Sequence, residues 1–208
     1  MKIKRIQELK ISGVKLITYQ HFPDTRGYFT ESYNFTEFEN FDLFDTSKIV
    51  QINESFSLQN VIRGLHFQWN PFMGKLVRTV SGHMVDLVLD LRPASITFKK
   101  ILAVDMPSGV EKNENTWIWV PPGFAHGNFF TEPTRIEYLC TGEYNKDCET
   151  GVNPFSEDID WSLCDATTKK MFDNMRSDFI ISDKDVALGN IDSWRQSENG
   201  SIFNSLLC

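Results

Sequence analysis

Short apolar runs separated by turn residues dominate the middle of this chain, between residues 76 and 120. Gly82 and the Pro-containing segments 93–95, 107–109 and 121–123 divide and bound these runs. In the run HMVDLVLDLR, apolar and polar side chains alternate, which predicts a strand with one face in the core. Strands spaced about ten residues apart, with turn signals between them, are typical of an antiparallel sandwich or barrel. The sequence therefore predicts an all-β fold.

Helices are expected only as short additions to this fold. Asn34 or Thr36 is predicted to cap one helix, and Ser162 a second helix in the C-terminal part. Residues 194–208 are polar and Ser-rich, and we expect them to be loosely ordered. With neither repeats nor a linker in the sequence, we predict a single domain over residues 1–208.

Composition limits the classes of partner. The chain has 208 residues and a formal net charge of −7, which argues against a generic nucleic-acid-binding protein. No apolar run approaches the roughly 18 residues of a membrane span, and no signal-peptide pattern is present. The four cysteines lack the spacing of a disulfide framework or a zinc site. We expect a cytoplasmic protein with reduced thiols and with neither nucleic acid nor membrane as a partner.

Charged side chains stand among apolar residues in the segment 61–80, where Arg63, His66 and Lys75 are found. Such groups are costly to bury unless they bind a ligand or react. His126 follows a Pro-Pro-Gly turn, which is expected to present it rigidly at a sheet edge. We infer that the two segments converge on a site for an anionic small molecule.

On a regular strand Arg63 and His66 would face opposite sides of the sheet. A β-bulge at Gly64 would turn both toward one side, and glycine is typical of such bulges. Two simpler roles remain open at this stage. His66 could be a core histidine bound to backbone, and His126 could lie in a surface loop.

A metal site at the two histidines is not favoured. It would need a third protein ligand, and Gln68, the nearest candidate, is a poor one. Tyr138 and Tyr144 fit either packing with an exposed hydroxyl or acid–base chemistry. Asp185 could lie in a solvated turn.

Several segments, taken together and in order, are similar to one known family. They are DTRGYFTESY (24–33), QINES (51–55), VIRGLHFQ (61–68), GKLVRTVSGHMVDLVLDLR (74–92), PASITF (93–98), WVPPGFAHG (119–127), YLCTGEY (138–144) and ISDKD (181–185). Over residues 14–190 the chain resembles the dTDP-4-dehydrorhamnose 3,5-epimerase family of the cupin superfamily. The resemblance implies a cupin jelly-roll β-sandwich with short C-terminal helices. It also implies a homodimer that uses no metal and no cofactor.

The resemblance further implies epimerisation of a nucleotide-diphosphate 4-keto-6-deoxysugar at C3, C5 or both. His66 matches the base, Asp185 its carboxylate partner, Tyr138 the acid and Lys75 the cation beside the ketone. The remaining matches are substrate-binding positions, some of them across the dimer: Arg63, His126, Arg26, Phe29, Glu31, Gln51, Asn53 and Tyr144.

The chain departs from the family pattern around the expected substrate. Glu54, Met73, Asn128 and Glu143 replace residues usual in the family, and the loop 69–73 is one residue short. We therefore expect a variant substrate, such as another 4-keto-6-deoxyhexose, a keto-heptose or a different nucleotide. The alternatives at this stage are a 3,4-ketoisomerase and a non-catalytic sugar-nucleotide-binding cupin.

Overall fold

The computed structural model describes residues 2–41, 49–109 and 113–206. Its strands pair antiparallel into a six-stranded sheet, a five-stranded sheet and a separate two-stranded hairpin. The strands are, in chain order, β1 (Ile3–Glu8), β2 (Lys15–Gln20), β3 (Phe22–Asp24), β4 (Gly27–Phe29), β5 (Gln51–Ser57), β6 (Ile62–Gln68), β7 (Lys75–Ser81), β8 (His83–Asp90), β9 (Ile101–Pro107), β10 (Glu114–Val120), β11 (Phe124–Phe130), β12 (Thr134–Cys140) and β13 (Glu149–Gly151). The α-helices are α1 (Phe35–Asn40), α2 (Ala166–Met175), α3 (Asp183–Val186) and α4 (Ile191–Gln196).

The two larger sheets pack face to face as a sandwich. Their strand orders are β1–β2–β10–β7–β12–β5 and β13–β6–β11–β8–β9. The core between them takes side chains from both sheets, including Val77, Val88 and Phe130. The predicted all-β jelly-roll sandwich with short C-terminal helices is thereby confirmed.

Strand β8 is buried on both faces, whereas its alternation predicted a single core face. All residues from Met84 to Asp90 are buried. Val88 faces the inside of the sandwich, and Leu87 packs in a second cluster with Phe172 of α2. The C-terminal helices thus cover the outer face of the five-stranded sheet, which the pattern of one strand could not reveal.

Strand β11 corrects the expectation that a rigid turn presents His126 at a sheet edge. His126 lies in the middle of β11, which pairs with β6 on one side and β8 on the other. All seven residues of this strand are buried. The strand is buried on both faces because it is central, so it lacks the alternation of apolar and polar residues that marks a half-exposed strand.

Two predictions about helix starts have different outcomes. The side chain of Asn34 accepts a hydrogen bond from the Glu37 amide, which confirms the predicted cap of α1. The predicted cap at Ser162 is wrong. Helix α2 begins after Asp165, whose side chain accepts from the Thr167 amide.

The expectation of a loosely ordered tail is wrong for residues 194–206. Trp194 and Phe203 are 9% and 1% exposed. Their rings contact Phe67 of β6, with centroids 4.7 and 5.4 Å away. Large aromatic side chains thus anchor a segment whose polar composition suggested disorder. Residues 207 and 208 lie outside the described part, and the single-domain prediction stays a prediction.

No helix in the described ranges is long and apolar enough to cross a membrane.

Replacing Phe203 with alanine should destabilise the sandwich, because it removes a fully buried ring and leaves a cavity. We expect Phe203→Ala to lower the free energy of unfolding by about 3–5 kcal/mol, measured by urea denaturation. Phe35→Ala is the matched control, since Phe35 is 45% exposed. A similar loss in both variants would contradict the structural role of the tail.

Candidate active site

A cavity of about 280 Å³ lies between the two sheets. Its walls include His66 and His126 from the five-stranded sheet and Lys75 and Tyr138 from the six-stranded sheet. A second cavity of about 310 Å³ adjoins it and shares His66, Lys75 and Tyr138 as lining residues. We call these the first cavity and the second cavity. The predicted convergence of the segment 61–80 with His126 is confirmed by this arrangement.

A β-bulge at Gly64 places Arg63 and His66 in the same cavity, as the sequence predicted. His66 pairs with His126 and Arg63 with Asn128, so three steps along β6 span two along β11. Gly64 has a φ of +100°, and a Cβ there would lie 2.7 Å from the His126 carbonyl oxygen. Glycine is therefore required at this position.

Asp185 holds the ring of His66. The Asp185 carboxylate accepts hydrogen bonds from His66 Nε2 at 2.7 Å and from the Gly64 amide at 3.1 Å. Burial opposes ionisation of this carboxyl, but the hydrogen bonds and the charge of His66 outweigh it, so the pKa of Asp185 lies below its usual value. An ionised carboxylate can only accept, so Nε2 carries the proton and Nδ1 keeps its lone pair.

Helix α3 supplies this carboxylate from the C-terminal part of the chain. The side chain of Ser182 caps α3 by accepting from the Asp185 amide. Asp185 is 4% exposed, so it does not lie in the solvated turn considered above.

Lys75 and Tyr138 complete the set of ionisable groups shared by the two cavities. Burial lowers the pKa of Lys75, and the nearby Cys140, Glu149 and Asp86 offset this only in part. Burial raises the pKa of Tyr138. The phenol is therefore protonated at neutral pH. Because β12 and β6 belong to opposite sheets, Tyr138 and His66 face the cavity from opposite walls.

His126 has a carboxylate partner that sequence reasoning missed. Its Nε2 lies 2.7 Å from Asp86 Oδ2, and the side chain of Asp86 is fully buried. Burial raises the pKa of Asp86, against the effects of His126 and Lys75. The sequence signal that could have identified this partner is an acidic residue in the middle of the apolar strand β8.

Glu149 and Lys184 are also cavity residues that the sequence did not single out. Glu149 Oε1 lies 3.9 Å from His66 Nδ1, and Glu149 Oε2 lies 2.8 Å from Lys184 Nζ. Neither stands in an apolar run, so nothing in the local sequence marked them.

The second cavity gathers three of the predicted substrate-binding residues. Gln51, Asn53 and Tyr144 line it together with Met73. The Gln51 side chain donates to Asn53 Oδ1 at 2.9 Å and accepts from the Tyr144 amide at 3.0 Å. These bonds tie the edge strand β5 to the loop after β12.

The loop 69–73, singled out as short, packs against the C-terminal segment. The Trp69 and Trp194 ring centroids are 5.1 Å apart, and those of Phe72 and Phe203 are 6.2 Å apart. The tail therefore helps to position the loop that carries Met73.

Three predicted substrate-binding residues lie elsewhere. Arg26 and Phe29 are on the hairpin β3–β4, with Glu31 just after it, and none lines either cavity. Arg26 is ion-paired with Asp24, and Phe29 is 66% exposed. Within one chain, the structure does not bring them to His66.

Across the described ranges, no group of three or more His, Cys, Asp or Glu side chains is arranged to hold a metal ion.

Residues 8–193 match the family model for dTDP-4-dehydrorhamnose 3,5-epimerase. The chain is 34% identical to the enzyme of that name from Methanothermobacter thermautotrophicus, covering 87% of this chain and 91% of the relative. It is also 34% identical to the Escherichia coli enzyme, covering 88% and 92%.

Solved structures agree with this match. A dTDP-6-deoxy-D-glucose-3,5-epimerase from Legionella pneumophila, in complex with dTDP-4-keto-L-rhamnose, superposes with a TM-score of 0.76 at 29% identity, covering 90% of this chain and 93% of that one. The Sulfolobus tokodaii dTDP-4-dehydrorhamnose 3,5-epimerase gives a TM-score of 0.74 at 31% identity, covering 92% and 97%. The chain therefore belongs to the dTDP-4-dehydrorhamnose 3,5-epimerase family and is an enzyme of the isomerase class.

Proposed function

We propose that this enzyme inverts C3, C5 or both in a dTDP-linked 4-keto-6-deoxysugar, through an enolate. The observation that carries the proposal is a base and an acid on opposite walls of one cavity. His66 lies on the five-stranded sheet, Tyr138 on the six-stranded sheet, and Lys75 lines the same space. Inversion of a carbon centre needs deprotonation on one face and reprotonation on the other.

His66 is proposed as the base, acting through Nδ1. Asp185 holds the Nε2–H tautomer, so the Nδ1 lone pair is available to take a proton from the carbon beside the C4 ketone. The electron pair of the broken C–H bond forms a C=C bond, and the carbonyl π pair moves to the C4 oxygen. The imidazolium that results is stabilised by the Asp185 carboxylate.

Lys75 is proposed to stabilise the oxyanion at C4. A cation in a partly dehydrated site stabilises developing negative charge more strongly than the same cation in water. Tyr138 then donates its hydroxyl proton to the carbon from the other face. The tyrosinate and the imidazolium return to their starting states by exchanging protons with solvent.

The remaining cavity residues are proposed to bind substrate. Arg63 fits the diphosphate, because guanidinium binds phosphate oxygens well and its Nε is already oriented by Ser57 Oγ at 2.9 Å. His126 would contact the sugar. Gln51, Asn53 and Tyr144 in the second cavity would contact the remainder of the substrate.

We also propose a homodimer in which the hairpin residues Arg26, Phe29 and Glu31 contact the nucleotide in the partner's cavity. The support is the exposed face of β5, the edge strand of the six-stranded sheet, where two apolar side chains flank Glu54. Ile52 and Phe56 point outward there and are 63% and 56% exposed. Exposed edge strands with apolar side chains favour pairing with another chain.

A cytoplasmic location is proposed as well. Cys140, Cys148 and Cys164 are free thiols, as expected in a reducing compartment.

The function is tested by NMR of dTDP-4-keto-6-deoxyglucose incubated with the enzyme in deuterated water. We expect deuterium at C3, C5 or both, together with inverted product. His66→Asn should slow this by at least about 100-fold, because the base is lost. His83→Asn is the matched control, since His83 also pairs with a carboxylate, Asp105, but lines neither cavity.

Tyr138→Phe separates the two half-reactions in the same assay. It should still exchange the carbon-bound proton while losing inversion, because only the acid is missing. A product with its carbonyl moved to C3 would instead indicate a ketoisomerase. Absence of exchange in the unmodified enzyme with every dTDP-linked 4-keto-6-deoxysugar offered, or full activity of His66→Asn, would refute the proposal.

The pH profile reports on Lys75. Because burial lowers the pKa of Lys75, this side chain loses its charge at a lower pH than an exposed lysine would. The rate should therefore fall as pH rises through that pKa, while Tyr138, with its raised pKa, stays protonated. In Lys75→Arg the alkaline limb of kcat should move to higher pH, since guanidinium stays charged. An unmoved alkaline limb would rule Lys75 out as its source.

The dimer is tested by sedimentation velocity on Ile52→Asp. A charge in place of the apolar Ile52 side chain on the exposed face of β5 should convert the dimer to monomer and reduce activity, because the partner's hairpin is lost. Ile96→Asp is the matched control, since Ile96 is 97% exposed and lies outside this surface. A dimer in both variants would place the interface elsewhere.

A further inference from the structure

Asn128 in β11 has a buried side-chain oxygen that lacks a hydrogen-bond partner. Asn128 is 4% exposed, and its Oδ1 accepts no hydrogen bond from the described residues. Three residues in the described ranges carry such an atom, namely Asn128, His21 and Asp86, and among them only Asn128 lines the first cavity. Native proteins rarely leave a buried acceptor unpaired, so this one calls for a donor from outside the chain.

The position of Asn128 determines which part of a substrate its side chain can contact. Asn128 pairs with Arg63 across β11 and β6, while His126 pairs with His66. Asn128 and His126 are two residues apart, so their side chains share one face of the sheet. Arg63 and Asn128 therefore lie side by side in the wall of the first cavity, and the two histidines form the neighbouring pair.

This geometry orients the sugar, given the proposed function. Arg63 would hold the diphosphate on C1, and His66 with Lys75 would act on the ring from C3 to C5. The atoms between these regions are C2 on one side of the ring and the ring oxygen on the other. A ring oxygen has no proton to donate, whereas a C2 hydroxyl does.

We propose that Asn128 recognises the C2 hydroxyl of the sugar and makes the enzyme selective against 2-deoxy sugars. A hydroxyl both donates and accepts, so it satisfies the carboxamide whichever end faces the ligand. A site that keeps a buried polar group for one substrate hydroxyl rejects the analogue that lacks it, because the group then stays unpaired. Asn128 is thus a specificity-determining residue.

The test is calorimetric binding of dTDP-quinovose and its 2-deoxy counterpart, which carry a C4 hydroxyl and cannot enolise. The unmodified enzyme should bind the 2-hydroxy sugar at least about tenfold more tightly. Asn128→Leu, similar in volume but unable to form hydrogen bonds, should bring the two affinities to within about threefold, by weakening only the 2-hydroxy sugar. Equal binding by the unmodified enzyme, an unchanged ratio in the variant, or no binding of either sugar would overturn the inference.

A purely structural role for Asn128 predicts a different result. In that case Asn128→Leu would lower the melting temperature and weaken the binding of both sugars equally, which would count against a specificity-determining role for Asn128. We expect an unchanged or higher melting temperature, since the variant removes an unpaired buried acceptor. Asn128→Ala, which introduces no bulk, provides the same comparison if the leucine variant does not fold.

Turnover separates this inference from the proposed function. Suppose that the unmodified enzyme shows the tenfold binding preference, that Asn128→Leu loses it, and that the unmodified enzyme exchanges no deuterium into the 4-ketosugar. This result would support the role of Asn128 and refute the epimerase. Deuterium exchange at equal kcat/KM on the 2-hydroxy 4-ketosugar and on its 2-deoxy counterpart, in the unmodified enzyme, would support the epimerase and refute the role of Asn128.

Discussion

The carboxylate of Asp185 connects the C-terminal part of the chain to the centre of the sandwich. One oxygen accepts from the Gly64 amide and the other from His66 Nε2, across sequence separations of 121 and 119 residues. The first bond satisfies a backbone amide that the bulge withdraws from regular pairing. The second fixes the ring and tautomer of the histidine that the bulge turns into the cavity. Without this carboxylate, the strand would contain both an unpaired amide and an unoriented imidazole.

The site places its charges where water is scarce. Lys75 and His126 line the cavity between the sheets, and Asp86 lies directly behind His126. The low local dielectric there strengthens the electrostatic interactions among these groups. Each is costly to bury alone. The His126–Asp86 pair and the proximity of Lys75 reduce that cost. The cations at the cavity also explain how a chain with net charge −7 can attract a diphosphate.

Much of the fold could be predicted because it depends on local patterns. The strands β7 to β10 are bounded by turn residues. The bulge is indicated by Gly64, which lies between Arg63 and His66, two residues expected to face the same side of the sheet. β11 was missed because a central strand has no alternating pattern. The order of the tail was missed because it depends on Trp194 and Phe203 packing on Phe67, a tertiary contact that local composition does not reveal.

The site was predictable to a similar extent and for a similar reason. His66 stood out in its own segment, whereas Asp185 could be paired with it only through the family resemblance, because their contact spans 119 residues of sequence. Asp86 and Glu149 contact cavity residues that are distant from them in sequence, so only the folded geometry identifies them. The hairpin residues around Arg26 stand apart from the cavity of their own chain, and their assignment depends on a second copy.

The central claim is that His66 acts as a base through Nδ1 because Asp185 holds its Nε2 proton. A long-range ¹H–¹⁵N spectrum tests it directly, with the His66 signals assigned by their loss in His66→Asn and recorded where the ring is neutral. The account predicts a protonated Nε2 and an unprotonated Nδ1. A neutral ring protonated at Nδ1 would contradict it, since the lone pair would then face Asp185 and not the substrate.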